Sequence, residues 1–150
     1  MNSRECLSRL VGGVQQDILD YHLLRELLLA QHDQLRQRDA QGLTSSLESQ
    51  RQLVAKLQSR ARERSDWLRL LGFSGNDGGM RQLLGRLPGP LQERLAPHWQ
   101  QLQALVQACQ QQNERNGRTL LCQHEVIRRM LYGEPSNDYR PSLPGTSVPY

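Results

Sequence analysis

Aromatic residues make up only 5% of this 150-residue chain, and phenylalanine occurs once. β-Branched residues are also sparse, so sheets, which draw on both classes, are not expected. The apolar fraction of 37% falls below the roughly 45–50% of an ordinary compact globule. That leaves room for a narrow apolar seam but not for a thick core. No apolar run approaches the ~20 residues that span a bilayer, so membrane insertion is not expected. The chain starts with Arg4 and Glu5 rather than an apolar segment, and no signal peptide is expected. Cys6, Cys109 and Cys122 are odd in number. Cys109 and Cys122 would stand roughly 20 Å apart on a continuous helix, too far to bridge. Reduced thiols in a cytoplasm are the expectation.

Lysine is nearly missing as well: Lys56 stands alone, and arginine supplies the rest of the 19 basic residues against 15 acidic ones, for a net charge of +4. Arginine and acid alternate along the chain, the pattern of solvated helix faces. Arg60, Arg62 and Arg64 look like a patch in print. On a helix, however, Arg62 points away from the other two. Without a basic stripe, nucleic-acid binding is not expected. Catalytic motifs are absent too. Residues 75–79 have neither the spacing nor the Lys-Ser/Thr of a phosphate loop. The four histidines are scattered, and Cys122 and His124, two positions apart, face different directions on a helix. Neither an enzyme nor a metal or cofactor site is expected.

Leucine, glutamine, arginine and glutamate dominate, and all of them favour helices. Asn2 with Glu5 forms a capping-box pattern. Leu7, Leu10, Val14, Ile18, Tyr21, Leu24, Leu28 and Leu35 then follow at intervals of mostly three or four, which predicts a helix over about 3–37. Asp39 is positioned to cap a second helix over about 39–71, striped by Leu43, Leu47, Leu53, Val54, Leu57, Ala61, Leu68 and Leu71. The short connection makes the two an antiparallel hairpin. Gly72 closes it, and a glycine-rich loop leads to a short helix over about 80–87, stopped by Pro88-Gly89-Pro90. Residues 91–95 either add a separate turn or join the next helix, where Pro97 suits the first turn. The third stripe runs Leu95, Trp99, Leu102, Val106, Cys109, Asn113, Asn116, Leu120, Ile127, Met130 and Leu131, which predicts a third long helix over about 96–132. The expected fold is all-α: an elongated antiparallel bundle or coiled coil of three long helices with a short connecting helix, residues 1–132. A Pro-rich tail, 133–150, is expected to be flexible.

Asn113 and Asn116 occupy seam positions where leucine belongs, and Gly117 follows. Two readings stand: a buried polar layer that fixes register, or a soft step at which the last turns detach to receive a partner. Beyond it Leu120, Leu121, Val126, Ile127, Met130, Leu131 and Tyr132 form an apolar surface wider than one seam. Such a surface either completes the bundle core or meets an amphipathic partner helix.

These residues resemble the FlgN-type flagellar export chaperones over nearly the whole chain. The likeness rests on Leu23-Leu24 and Leu27-Leu28, the step at Arg38-Asp39-Ala40, and the closure at Leu70-Leu71-Gly72. It continues in Trp99, Leu102 and Leu105, then Asn113-Glu114-Arg115-Asn116-Gly117, an Asn-x-x-Asn-Gly step within the third long helix. The helix closes at Met130-Leu131-Tyr132-Gly133, with Tyr139 in a Gly-containing tail that is longer than the family's. The resemblance implies a cytoplasmic chaperone for flagellar type III secretion. Its clients would be hook-associated proteins of the hook–filament junction, held by their terminal amphipathic helices and delivered to export gate and ATPase components. By carry-over, Asn113, Asn116 and Gly117 are the matched motif, residues 120–131 the client groove, and Tyr139 or Tyr132 the contact for the export gate. The competing class is a structural coiled-coil adaptor of a secretion apparatus, which would self-associate through the same stripes.

Overall fold

A computed structural model describes residues 2–132, apart from the side chains of Ile127 and Tyr132. Four helices follow in order: α1 (Ser3–Gln37), α2 (Ala40–Leu70), α3 (Asp77–Arg86) and α4 (Gly89–Tyr132). No strand occurs among the described residues, and the fold is an all-α bundle. α1 is the central member. It packs along both α2 and α4, while the backbones of α2 and α4 do not approach each other. The run is up–down–up, so α1 and α4 are parallel and α2 opposes them.

The helix ends are set by local chemistry. The Asn2 side chain accepts from Glu5 N at 2.8 Å, and Asp39 accepts from Gly42 N at 2.9 Å, each satisfying an orphan donor of the first turn. α2 closes with Gly72 at φ +91°, Gly72 N bonding to Arg69 O and Phe73 N to Leu68 O, a Schellman motif in which glycine takes the left-handed position without strain. α1 closes in the same way, with Arg38 N on Leu35 O and Asp39 N on Gln34 O, but here the left-handed residue is Arg38 at φ 56°. An arginine side chain crowds that conformation at a cost of about 1 kcal/mol. Arg38→Gly should therefore raise the urea midpoint by an amount equivalent to about 0.5–1 kcal/mol. An unchanged or lower midpoint would show that the Arg38 side chain offsets the strain.

Two helix starts differ from the sequence expectation. α3 begins at Asp77 rather than 80, because Asn76 caps it by accepting from Gly79 N at 2.9 Å. The cap outweighs the poor helix propensity of Gly78 and Gly79. A side chain at 79 would also collide with the Ser74 carbonyl, whose oxygen lies 1.7 Å from where its Cβ would sit. α4 begins at Gly89 rather than 96. Pro88-Gly89-Pro90 opens this helix instead of only ending the previous one: Gln92 N bonds to Pro88 O at 3.0 Å, and Pro90 lies in the first turn, where no N–H is required. Residues 91–95 thus join the long helix, and Pro97 lies inside it. Pro97 and Glu93 are both exposed, so water can serve the carbonyl that Pro97 leaves without its helical donor.

The core is one seam. Leu10, Val14, Ile18, Tyr21, Leu24 and Leu28 of α1 meet Val54, Leu57 and Leu68 of α2 on one side. On the other they meet Leu95, Trp99, Leu102, Leu105, Val106 and Cys109 of α4, with Met80 and Leu83 of α3 sealing the end. Charge enters this seam as well. Asp17 is 1% exposed and Arg64 6%. Arg64 Nη1 donates to Asp17 at 2.6 Å, Arg60 Nε donates to the other Asp17 oxygen at 2.6 Å, and Arg60 Nη2 bonds Asp20. Partial burial opposes the charge on Arg60, but these carboxylates outweigh it and raise its pKa. Arg62 points outward, as its helical position requires.

Candidate functional site

The α1–α4 interface changes character along its length. Up to Cys109 it is apolar, with Leu102 and Val106 among its buried residues. From there upward, side chains of α4 bond to the backbone of α1. Cys109 Sγ reaches Tyr21 O at 3.5 Å, Asn116 Nδ2 reaches Leu28 O at 2.8 Å, and Gln123 Nε2 reaches Leu35 O at 2.6 Å. Donors and acceptors each recur every seven residues with a constant offset of 88. This is the period at which two parallel helices return to the same facing positions. Burial pushes the Cys109 thiol up to about 11, so it stays protonated and able to donate.

Asn113 and Asn116 are both buried. Besides donating to Leu28, Asn116 accepts from Gln112 Nε2 at 3.0 Å. α4 continues without a break through Gly117 to Tyr132. A buried amide tied to a specific carbonyl fixes register, because sliding by one residue would strand it without a partner. The arrangement supports the register reading, while apolar burial weakens from this level upward. Leu120 and Leu121 are only half-buried.

The offset of 88 also sets the geometry of the helix end. It places Gln37, the last residue of α1, level with Glu125. Residues 126–132 therefore run about 10 Å beyond α1. On this overhang Val126 is 46% exposed, Leu131 67% and Met130 80%. Ile127 and Tyr132 belong to the same helix, but their side chains lie outside the described residues, and so does Tyr139. The sequence-derived set therefore divides in two. Asn113 and Asn116 are buried, Asn116 tied to α1, with Gly117 half-buried beside them, and Val126, Met130 and Leu131 project from the end of α4.

Sequence reasoning missed Gln123, which bonds to Leu35 O near the end of α1. The seven-residue spacing of Cys109, Asn116 and Gln123 was the available signal. Their acceptors are main-chain carbonyls, however, which no side-chain pattern displays. It also missed Asp17 and Asp20, polar positions next to Ile18 and Tyr21 that pair with arginines some forty residues away.

Among the described residues no cluster of His, Cys, Asp or Glu could hold a metal ion, and no helix is long and apolar enough to cross a membrane. All three cysteines are free thiols, Cys6 and Cys109 buried and Cys122 exposed. Neither the curated proteins nor the solved structures contain a match to this chain. The family model described as FlgN protein matches residues 1–132, which include all four described helices. The chain therefore belongs to the FlgN family of flagellar export chaperones.

Proposed function

We propose that this protein is a cytoplasmic chaperone that binds the terminal amphipathic helices of flagellar hook-associated proteins, keeps them from assembling prematurely, and hands them to the flagellar type III export gate. The observation that carries this reading is the overhang of α4: a helix end presenting Val126, Met130 and Leu131, past the end of α1 and with no other helix of the described residues extending beside it. Membership of the FlgN family supplies the client class. A terminal helix that self-assembles through an apolar face needs that face covered until export, and an apolar helix end can cover it without chemistry. Burying these side chains and their neighbours at about 1.5–2 kcal/mol each, less the cost of association, leaves micromolar-class affinity. That strength suits a carrier that must release its cargo. Residues 120–132 are the proposed client surface, and Asn113, Asn116 and Gly117 set its register. Tyr139 or Tyr132 is the proposed contact for export gate and ATPase components.

Copurification with hook-associated proteins tests the reading. The intact protein should retain them, and Val126→Asp with Met130→Asp and Leu131→Asp should weaken binding by about two orders of magnitude. The helical signal and melting temperature should stay unchanged, because all three side chains are exposed. Undiminished binding by the triple variant would remove the client site from α4. An intact protein that retains no client and sediments as a tight oligomer would instead indicate a structural adaptor.

A further inference from the structure

At the opposite end of the bundle, Leu7 and Val11 of α1, Leu83 of α3, Leu91 and Leu95 of α4, and the connecting Leu71 and Leu87 line an open groove of about 950 Å³. Its ionisable lining is Arg4, Arg94, His98 and Glu93. Neither Arg4 nor Arg94 has an ion pair among the described residues. The α1 wall extends from Ser3 to Gln15, about 18 Å, the length of three helical turns. We propose that this groove docks a second partner segment: an amphipathic helix with leucine-type anchors over about three turns and acidic residues flanking them.

Three features select that occupant. The walls are helices with no free strand edge among the described residues, so an incoming segment must satisfy its own backbone, as a helix does. The apolar floor needs anchors spaced three and four apart. The unpaired arginines at the rim favour carboxylates and disfavour lysine-flanked segments. The chain's own tail does not meet the requirement in cis. The groove at Leu95 lies about 55 Å along α4 from Tyr132, whereas Glu134 and Asp138 reach no more than about 20 Å from that helix end. The same separation lets the groove and the α4 overhang be occupied at once, so a partner docked here would leave a carried client in place.

The test uses a fluorescent synthetic amphipathic peptide of about five turns with leucine anchors and glutamate flanks, beside a twin with lysine flanks. The full chain should bind the glutamate peptide about ten-fold tighter than its twin, with the preference shrinking as salt rises. Arg4→Glu with Arg94→Glu, both exposed, should invert the order, and Leu91→Asp should weaken both peptides. The overhang triple variant should bind both peptides as the unaltered protein does, which separates this groove from the client surface. Equal binding of the two peptides, or affinities unchanged in the double arginine variant, would overturn the proposal. So would a dimer of the protein itself that the arginine variant dissociates, because the groove would then belong to a second copy.

Discussion

Replacing Asp17 with alanine is expected to lower stability by about 3–5 kcal/mol, an effect on the scale of a whole small domain's stability. Asp17 is 1% exposed and bonds two guanidinium groups, Arg60 and Arg64. Arg60 is partly exposed and keeps Asp20 as a partner. The Arg64 side chain is only 7% exposed, so without Asp17 its charge loses a carboxylate 2.6 Å away deep in the seam. The cost is the penalty of withdrawing a carboxylate from two guanidinium groups held in the seam, and it exceeds whatever the intact pairs contribute. Urea unfolding followed by circular dichroism measures it, with Arg62→Ala, on the exposed face, expected within about 0.5 kcal/mol of the unaltered protein. A loss below about 1 kcal/mol for Asp17→Ala would mean that the other surroundings of Arg64, or water, satisfy its charge as well as Asp17 does.

Trp99→Ala should cost a similar 3–5 kcal/mol. Trp99 is 4% exposed and belongs to the core of α4. Its ring lies 5.4 Å from the Arg64 guanidinium carbon, within the range of cation–π attraction. Since the α2 and α4 backbones do not approach each other, this stacking is a direct bridge between the two flanking helices. Removing the ring opens a cavity and uncovers the charged cluster at once. The two losses should therefore not add: the double variant Asp17→Ala with Trp99→Ala should show a coupling of at least about 0.5 kcal/mol in a mutant cycle. Strict additivity would show that Trp99 packs independently of the cluster. Trp99→Phe, which keeps an aromatic face over Arg64, should recover part of the loss.

Much of the fold was legible because its determinants are local. A cap at Asn2 followed by leucines at intervals of three and four specifies α1, and Asp39 and Gly72 bracket α2 by chemistry confined to one turn. Where the reading failed, two local rules competed. Pro88-Gly89-Pro90 is both a stop and a start signal, and the structure uses it as a start. Glycine at 78 and 79 argues against helix, but the Asn76 cap outweighs it, and the close approach of the Ser74 carbonyl requires glycine at 79. The candidate site was legible in composition only. Asn113 and Asn116 stood out as polar residues on an apolar stripe, but their sequence positions could not say whether they were tied down or loose. Asn116 is held by a carbonyl 88 residues away.

The sequence by itself determined that this protein would be helical, how its three long stripes run, and that Leu120, Leu121, Val126, Met130 and Leu131 are apolar. These properties follow from propensity and from a periodicity within a few turns of one helix. Only the tertiary structure decided that α1 stands between two helices whose backbones never approach each other, that Asp17 and Arg64 neutralise each other inside the seam, and that α4 outruns α1 by two turns. Those facts depend on the register between helices. Register is set where groups far apart in the chain satisfy one another, as Asn116 and Leu28 do, and no local pattern records the offset at which they meet.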